Sequence, residues 1–161
     1  MTKIKKSIQI NAPLEEVFEY FANPENLPEI WPSMLEVSNV VRHNGTGSFD
    51  WIYKMAGMRF NGHSEVVELE ANERMVTRSK KGIATTVSST YTRVGNMTKV
   101  SVEIDYEIPG RLLRKMADPI VRRLNDRETS TLLSNLKDRM ELSESTMKRS
   151  AAHSGSTQPL H

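Results

Sequence analysis

The sequence predicts an α+β fold in which a curved antiparallel sheet wraps around one long C-terminal helix. Residues 34–108 contain short segments of alternating polarity separated by Gly- and Asn-containing turns, the pattern of an antiparallel meander. Residues 110–142 instead repeat apolar side chains at three- and four-residue steps, which is the period of a helix. A twisted sheet with one apolar face has to be covered, and this helical stripe is the largest surface available to cover it.

The composition is that of an ordinary globular chain, and it excludes several classes of function. The chain has 161 residues, which suits one domain, and 22 Lys and Arg residues nearly balance 20 Asp and Glu residues. This balance gives no case for nucleic acid as a partner. Cysteine is absent, so disulfides, thiolate catalysis and Cys-ligated metals are excluded. The four His residues lack metal-ligand spacing and no phosphate-binding glycine loop occurs, so we expect neither a metal nor a cofactor.

Nothing in the sequence resembles a targeting or membrane-spanning segment. The opening MTKIKKSIQI is basic but lacks the apolar run and cleavage site of a signal peptide. No stretch approaches the roughly 18 apolar residues of a membrane span. We therefore expect a cytoplasmic protein.

The first predicted elements are a strand and a group of short helices. Ile4, Ile8 and Ile10 alternate with polar residues, which predicts a half-buried strand. The following stretch APLEEVFEYFANPENLPEIWP, residues 12–32, contains four prolines. Proline favours the first turn of a helix and pushes the residue before it out of the helical region. The stretch therefore predicts two or three short helices between the first and second strands, where they can fill the open end of the curved sheet.

The meander is defined by its turns and by its last strand. Residues 44–47 read Asn-Gly-Thr-Gly, a tight hairpin turn, and further turns are predicted at 56–57, 72–73, 81–82 and 95–96. The clearest alternation follows the last of these turns. There Val100, Val102, Ile104 and Tyr106 alternate with polar residues, so we expect this strand to have one buried face.

The C-terminal helix is predicted from one apolar stripe. Its members are Leu112, Leu113, Met116, Ile120, Val121, Leu124, Leu132, Leu133, Leu136 and Met140. Pro119 lies inside the stripe and either kinks the helix or splits it in two. Residues 143–161 have no periodicity and little to bury, so we expect a folded domain at 1–142 followed by a disordered tail.

Four segments resemble the START-like (SRPBCC) superfamily, and within it the polyketide cyclase/dehydrase group: SIQINAPLEEVFEYFANPENLPEIWP, GTGSFDW, EVVELEANERMVTRS and LLSNLKDRME. The resemblance covers residues 3–142 and implies the helix-grip fold. It also implies a cavity between the sheet and the long helix, of the kind that holds lipids, sterols, polyketides or aromatic metabolites. Because the same fold serves carriers, cyclases, hydrolases and receptors, it implies an architecture more than an activity.

Ten residues are candidates for the lining of this cavity. They are large side chains of the strands and helices together with one His–Glu pair: Trp31, Trp51, Tyr53, Met55, His63, Glu65, Tyr91, Tyr106, Met116 and Ile120. Trp31, Trp51 and Tyr53 either fill the core or meet a ligand, since each combines an apolar body with a polar tip. The tyrosines at 91 and 106 and the residues of the helical stripe are open to the same two interpretations.

The inward face of the strand predicted at 58–70 is not assigned by its pattern. Phe60 and Val66 favour even positions as core, whereas Val67 and Leu69 favour odd ones, so a bulge is expected between them. The His63 and Glu65 side chains therefore lie either in the cavity or in solvent.

These observations leave three hypotheses of function. The first is a non-enzymatic protein that binds or carries a small hydrophobic ligand. The second is an enzyme of the cyclase/dehydratase type, with His63, Glu65, Arg59 or Tyr53 as acid–base groups. The third is an interaction module that acts on a protein partner through a basic helix. The bases of that helix are either a solvated face or a site of transient contact with an anionic membrane: Arg111, Arg114, Lys115, Arg122, Arg123 and Arg127.

Overall fold

The structure of the chain, a computed structural model, describes residues 1–156. These residues contain seven strands: β1 (Thr2–Ile10), β2 (Met34–His43), β3 (Thr46–Met55), β4 (Met58–Glu70), β5 (Arg74–Lys81), β6 (Thr85–Val94) and β7 (Met97–Tyr106). They also contain four α-helices: α1 (Leu14–Ala22), α2 (Leu27–Ile30), α3 (Gly110–Leu113) and α4 (Asp118–Ser156). A single 3₁₀ turn, Pro24–Asn26, joins α1 to α2.

The strands form one antiparallel sheet in the order β1-β7-β6-β5-β4-β3-β2. Tight turns connect β2 through β7, and Gly45, Gly57 and Gly95 adopt positive φ angles of 72°, 88° and 60° at three of them. Glycine adopts this region without the steric cost that a β-carbon imposes. The first strand closes the order by pairing with the last, from Thr2 opposite Tyr106 to Ile10 opposite Thr98.

The buried face of β7 follows the alternation read from the sequence. Val100 and Val102 are fully buried, and Ile104 and Tyr106 are 5% and 2% exposed. The side chains between them are more exposed, because successive residues of a strand point to opposite faces. The sheet thus presents one apolar face, and α4 lies across it.

The proline-rich segment packs against the open end of the sheet. Leu14, Val17 and Phe21 are the buried side chains of α1. Asn23 ends that helix, and its side chain accepts a hydrogen bond from the Glu25 N–H at 3.1 Å, which starts the 3₁₀ turn. Leu27 and Ile30 are the buried side chains of α2. This order of elements confirms the predicted helix-grip fold.

Of the two alternatives left open for the C-terminal helix, a kink or a split near Pro119, the structure shows the split. Helix α3 ends at Leu113, and α4 begins at Asp118 with Pro119 as its second residue. Proline is favoured there because its missing N–H would have no partner in the first turn of a helix. The new start also changes the phase of the stripe, so Ile120 and Leu124 are 52% and 39% exposed.

The buried side of α4 begins at Val121 and ends at Met140. It consists of Val121, Asn125, Thr129, Leu132, Leu133, Leu136 and Met140. Polar contacts hold α4 against the proline-rich segment and the residue that follows it, and one of them joins Arg139 to Glu29 at 2.6 Å. The Asn135 amide donates to the Ile30 carbonyl at 2.9 Å, and Glu128 accepts from the Ser33 N–H at 2.7 Å.

Helix α4 continues to Ser156, where the sequence predicted a disordered tail from residue 143. The extension has local helical geometry but adds little packing, since residues 145–152 are all exposed. The end of the folded domain at residue 142 stays a prediction, and the last five residues of the predicted tail lie outside the described part of the chain. No helix within residues 1–156 is long and apolar enough to cross a membrane.

Candidate ligand-binding cavity

A cavity of about 110 Å³ lies between the concave face of the sheet and α4. Every strand, the proline-rich segment and α4 contribute to its walls. In the described structure none of its lining residues is Asp, Glu, Lys, Arg or His. The walls are mainly apolar, and their polar atoms belong to hydroxyl, amide and indole groups. Because an unpaired charge is costly to bury, such a cavity favours an uncharged guest.

Five of the ten predicted lining residues are at this cavity. They are Trp31, Trp51, Tyr53, Met55 and Tyr106. The Trp31 and Tyr53 rings meet edge to face with centroids 5.5 Å apart, a favourable aromatic geometry. Burial raises the pKa of the Tyr53 phenol well above its usual range, and the nearby Glu128 carboxylate adds to this rise. The Tyr53 hydroxyl is therefore a neutral group at physiological pH, and whether it contacts a ligand stays a prediction.

Trp51 is held flat against the opposite strand. Its cross-strand partner is Gly62, and a β-carbon built on that glycine would lie 2.0 Å from the indole. The indole N–H donates to the Ser64 hydroxyl at 2.9 Å. Glycine at position 62 thus leaves the space that the Trp51 ring occupies in the cavity wall.

The structure corrects the inclusion of His63 and Glu65 in the cavity. Phe60, Gly62 and Ser64 form the buried face of β4, so the odd positions point to the outer face of the sheet. The pattern was ambiguous because the pairing of β4 with β5 is irregular at two places, between His63 and Ser64 and between Val66 and Glu68.

On the outer face, His63 contacts another strand instead of a ligand. Its Nδ1 lies 2.7 Å from the Asp50 Oδ1, and the Asn39 amide donates to the other carboxylate oxygen at 2.8 Å. These two contacts, that of Asn39 first, lower the pKa of Asp50. The pair is well exposed and lies on the far side of the sheet from the cavity, so it offers no acid–base group to a guest inside.

Three more predicted residues lie away from the cavity. Tyr91 is buried beneath α1, with its ring centroid 5.0 Å from Phe18, and its hydroxyl donates to Ser89 at 3.1 Å. Met116 is half-buried between α3 and α4 and packs on the core. Ile120 is exposed, because α4 starts anew at Asp118.

The sequence analysis missed the polar groups that α4 brings to the cavity. Asn125 and Thr129 line it, and they are 8% and 2% exposed. They follow Val121 at four-residue steps, so they occupy stripe positions where apolar residues are expected. A polar residue on the apolar stripe of a helix is the signal that identifies them.

Three buried polar atoms at the cavity have no hydrogen-bond partner within the described residues: the Trp31 Nε1, the Asn125 Nδ2 and the Tyr106 hydroxyl. Burial raises the pKa of Tyr106, and the neighbouring Asn125 amide opposes that rise without meeting hydrogen-bond geometry. Native structures leave few buried polar groups unpaired. All three atoms belong to residues of the cavity lining, so a guest that reaches them could supply the missing partner.

A second, more open cleft of about 510 Å³ adjoins the first. It lies between α1 and the turns at the far ends of β2–β3 and β4–β5. Four residues line both spaces: Ala22, Pro24, Phe49 and Met75. The inner cavity and the outer cleft therefore adjoin each other where the end of α1 approaches the sheet.

A family model described as polyketide cyclase/dehydrase and lipid transport matches residues 1–141 of the chain. The chain belongs to this family. No curated protein matches its sequence.

Solved structures agree with this membership at the level of the fold. A protein of Thermus thermophilus is 21% identical, with a TM-score of 0.74 over 88% of this chain and 99% of its own. A START superfamily protein of Mycobacterium smegmatis is 17% identical, with a TM-score of 0.73 over 87% and 97%. An aromatase/cyclase of a Streptomyces species is 13% identical, with a TM-score of 0.69 over 87% and 93%. The predicted resemblance to START-like proteins is confirmed, and the family supports a hydrophobic ligand-binding or cyclase role.

Proposed function

We propose that this family member binds or carries a small hydrophobic molecule, such as a lipid, a polyketide or an aromatic metabolite, in the cavity between the sheet and α4. The observation that carries the proposal is the uncharged lining of that cavity. Its volume is of the order of a cavity that takes up one aromatic ring, about 150 Å³ in an engineered case. A longer ligand would extend into the adjoining cleft.

The rival hypothesis, an acid–base enzyme of the cyclase/dehydratase type, has less support. His63, Glu65 and Arg59 are absent from the cavity lining, which leaves Tyr53 of the four groups considered. Because its pKa is raised by burial, this phenol can donate a hydrogen bond but is a poor general base near neutral pH. A binding protein needs no base, so the lining fits the first hypothesis better.

Native mass spectrometry of freshly purified protein tests the proposal. We expect a fraction of the protein to have a higher mass because a small apolar molecule is bound to it. We also expect the purified protein to take up the neutral dye Nile red. Val87→Phe adds a ring to a residue of the cavity lining and should lower both signals. Val94→Phe is the matched control, since Val94 lies on the same strand but is 41% exposed. A bare chain mass together with no dye uptake would contradict carriage.

A transient contact with an anionic membrane is the second part of the proposal. Exposed apolar side chains alternate with bases where α3 meets α4: Leu113, Arg114, Lys115, Ile120, Arg123 and Leu124. Surfaces that combine apolar and basic residues bind at the headgroup level of anionic bilayers. We expect sedimentation with vesicles containing phosphatidylglycerol, weaker sedimentation with phosphatidylcholine alone, and loss of the difference in the Lys115→Glu/Arg123→Glu variant. Equal sedimentation with both vesicles would refute this contact.

A further inference from the structure

The unpaired polar atoms of the cavity are not spread over its walls. The hydroxyl-bearing residues of the sheet wall mostly have partners inside the protein: Ser64 accepts from Trp51, Ser79 donates to the Lys81 carbonyl, and Thr85 donates to the Ile83 carbonyl. On α4, the Thr129 hydroxyl donates to the Asn125 carbonyl. The three atoms without a partner in the described structure are on Trp31, Asn125 and Tyr106.

These three side chains are connected through one another and through Tyr53. Trp31 packs edge to face on Tyr53 and opposes the rise that burial causes in the pKa of that phenol, as the Asn125 amide does for Tyr106, although neither contact meets hydrogen-bond geometry. Tyr106 in turn slightly raises the pKa of Tyr53. All four line the same cavity. They therefore form one polar region, which we call the donor wall and define as Trp31, Tyr53, Tyr106 and Asn125.

The chemistry of the donor wall selects one kind of partner. An indole N–H and an amide NH₂ can only donate hydrogen bonds, and a phenol hydroxyl can donate one as well. Burial keeps both phenols protonated, because it raises the pKa of Tyr53 and of Tyr106. A guest that satisfies these groups must present an atom that accepts hydrogen bonds, such as an oxygen.

The rest of the lining determines the charge of that guest. A carboxylate or a phosphate would accept the same hydrogen bonds, but the described lining contains no cation to balance it. Burying an unpaired anion costs far more than a neutral hydrogen bond returns. A ketone, an ester or an amide carbonyl is therefore a better partner than an acid.

We propose that the donor wall recognises a neutral carbonyl oxygen, so that the ligand of this protein is an uncharged apolar compound with a keto, ester or amide group at the end nearest α4. This inference rests on the proposed function and deepens it. The carbonyl accepts from Trp31, Asn125 and Tyr106, while the apolar part lies against side chains such as Met34, Met55 and Ile104.

A matched pair of small probes tests the inference. Acetophenone and α-methylstyrene have nearly the same planar shape, but only the first carries a carbonyl oxygen. Since the hydrocarbon leaves water more readily, the informative quantity is the ratio of the two Kd values, compared between wild type and variants by calorimetric titration. Asn125→Leu removes a donor while keeping the number of side-chain heavy atoms, Tyr106→Phe removes one together with a single oxygen, and Trp31→Phe removes one together with part of the ring system. Tyr91→Phe is the control, because Tyr91 is buried outside the cavity lining and its hydroxyl is already paired.

We expect each donor-wall variant to lower the preference for the ketone by roughly fivefold, the factor that one neutral hydrogen bond contributes. Tyr91→Phe should leave the ratio within about twofold of wild type, and wild type should bind benzoate more weakly than acetophenone. If both probes bind with a ratio that no variant changes, ordered water satisfies the donors and the inference is wrong, although the proposed function stands. Tighter binding of benzoate than of acetophenone would also overturn it. If neither probe binds to the wild-type protein, the inference is wrong, and native mass spectrometry together with Nile red uptake decides whether the proposed function stands.

Discussion

Gly62→Ala is the substitution that most directly tests how the cavity wall is built. A β-carbon at position 62 would lie 2.0 Å from one atom of the Trp51 indole and 2.4 Å from two others. Contacts below 3.0 Å force a shift, and here the obstacle is a rigid ring that is itself buried. The indole has to move, and its hydrogen bond to Ser64 then breaks.

The cost follows from these two effects. Overpacking of a well-filled core costs about 1–3 kcal/mol. Loss of the buried hydrogen bond adds about 1 kcal/mol, because both polar atoms then lack their partner. We therefore expect the free energy of unfolding to fall by about 2–4 kcal/mol, which moves the urea midpoint by roughly 1–2 M at a typical m-value of about 2 kcal/mol/M.

Urea unfolding followed by far-UV circular dichroism measures the change in stability, and near-UV circular dichroism reports the movement of the indole. Gly110→Ala is the matched control, since a β-carbon there meets no atom within 4 Å. It should change stability by no more than about 1 kcal/mol. A Gly62→Ala protein as stable as wild type, with an unchanged near-UV spectrum, would refute the packing of Trp51 on Gly62.

Three further predictions concern parts of the fold away from the cavity. Thr98→Val should cost about 1–2 kcal/mol in urea unfolding, because the fully buried Thr98 hydroxyl donates to the Ala12 carbonyl at 2.7 Å; no loss would mean that this bond contributes nothing. Pro119→Ala should change the free energy of unfolding by less than about 1 kcal/mol, because the proline lies in the first turn of α4 and breaks no hydrogen bond there. A much larger change in stability would indicate instead that the proline lies inside a kinked helix. Burial and the hydrogen bond to Glu29 raise the pKa of Tyr20 to about 12. The folded state therefore gains stability below pH 10 that is lost as the pH rises towards 12, and Tyr20→Phe should remove this part of the pH dependence. An ultraviolet titration in which all tyrosines ionise near pH 10 would contradict this prediction.

The donor wall shows why part of the site was beyond sequence analysis. The sequence predicts Trp31, Trp51 and Tyr53 as lining residues because each side chain combines a large apolar ring with a polar group. Asn125 is less conspicuous, because a single amide on a helix is usually solvated and its burial depends on how α4 is rotated against the sheet. That rotation is set by contacts distant in the chain, such as Asn135 with Ile30 and Glu128 with Ser33.

The errors in the predicted lining have the same origin. His63 and Glu65 were included because the apolar pattern of β4 changes register, and the choice of face depends on how this strand pairs with β5. Ile120 belongs to a stripe that was read across Pro119, and that reading holds only if the helical phase is the same on both sides of the proline. The break at residues 114–117 resets the helical phase, and a period counted through a break assigns the wrong face.

The sequence by itself determined the elements of this protein and their order: a first strand, proline-cornered helices, a meander with glycine turns and a long final helix. These follow from interactions between near neighbours in the chain, namely the period of apolar residues, the fixed φ of proline and the positive φ open to glycine. Only the tertiary structure decided which atoms face the cavity, that its lining carries no charge in the described residues, and that three polar atoms there lack a partner. Those properties depend on strand register and helix rotation, which arise when residues more than a hundred positions apart pack together. A local pattern can mark a polar residue on an apolar stripe, but it does not determine what that residue faces.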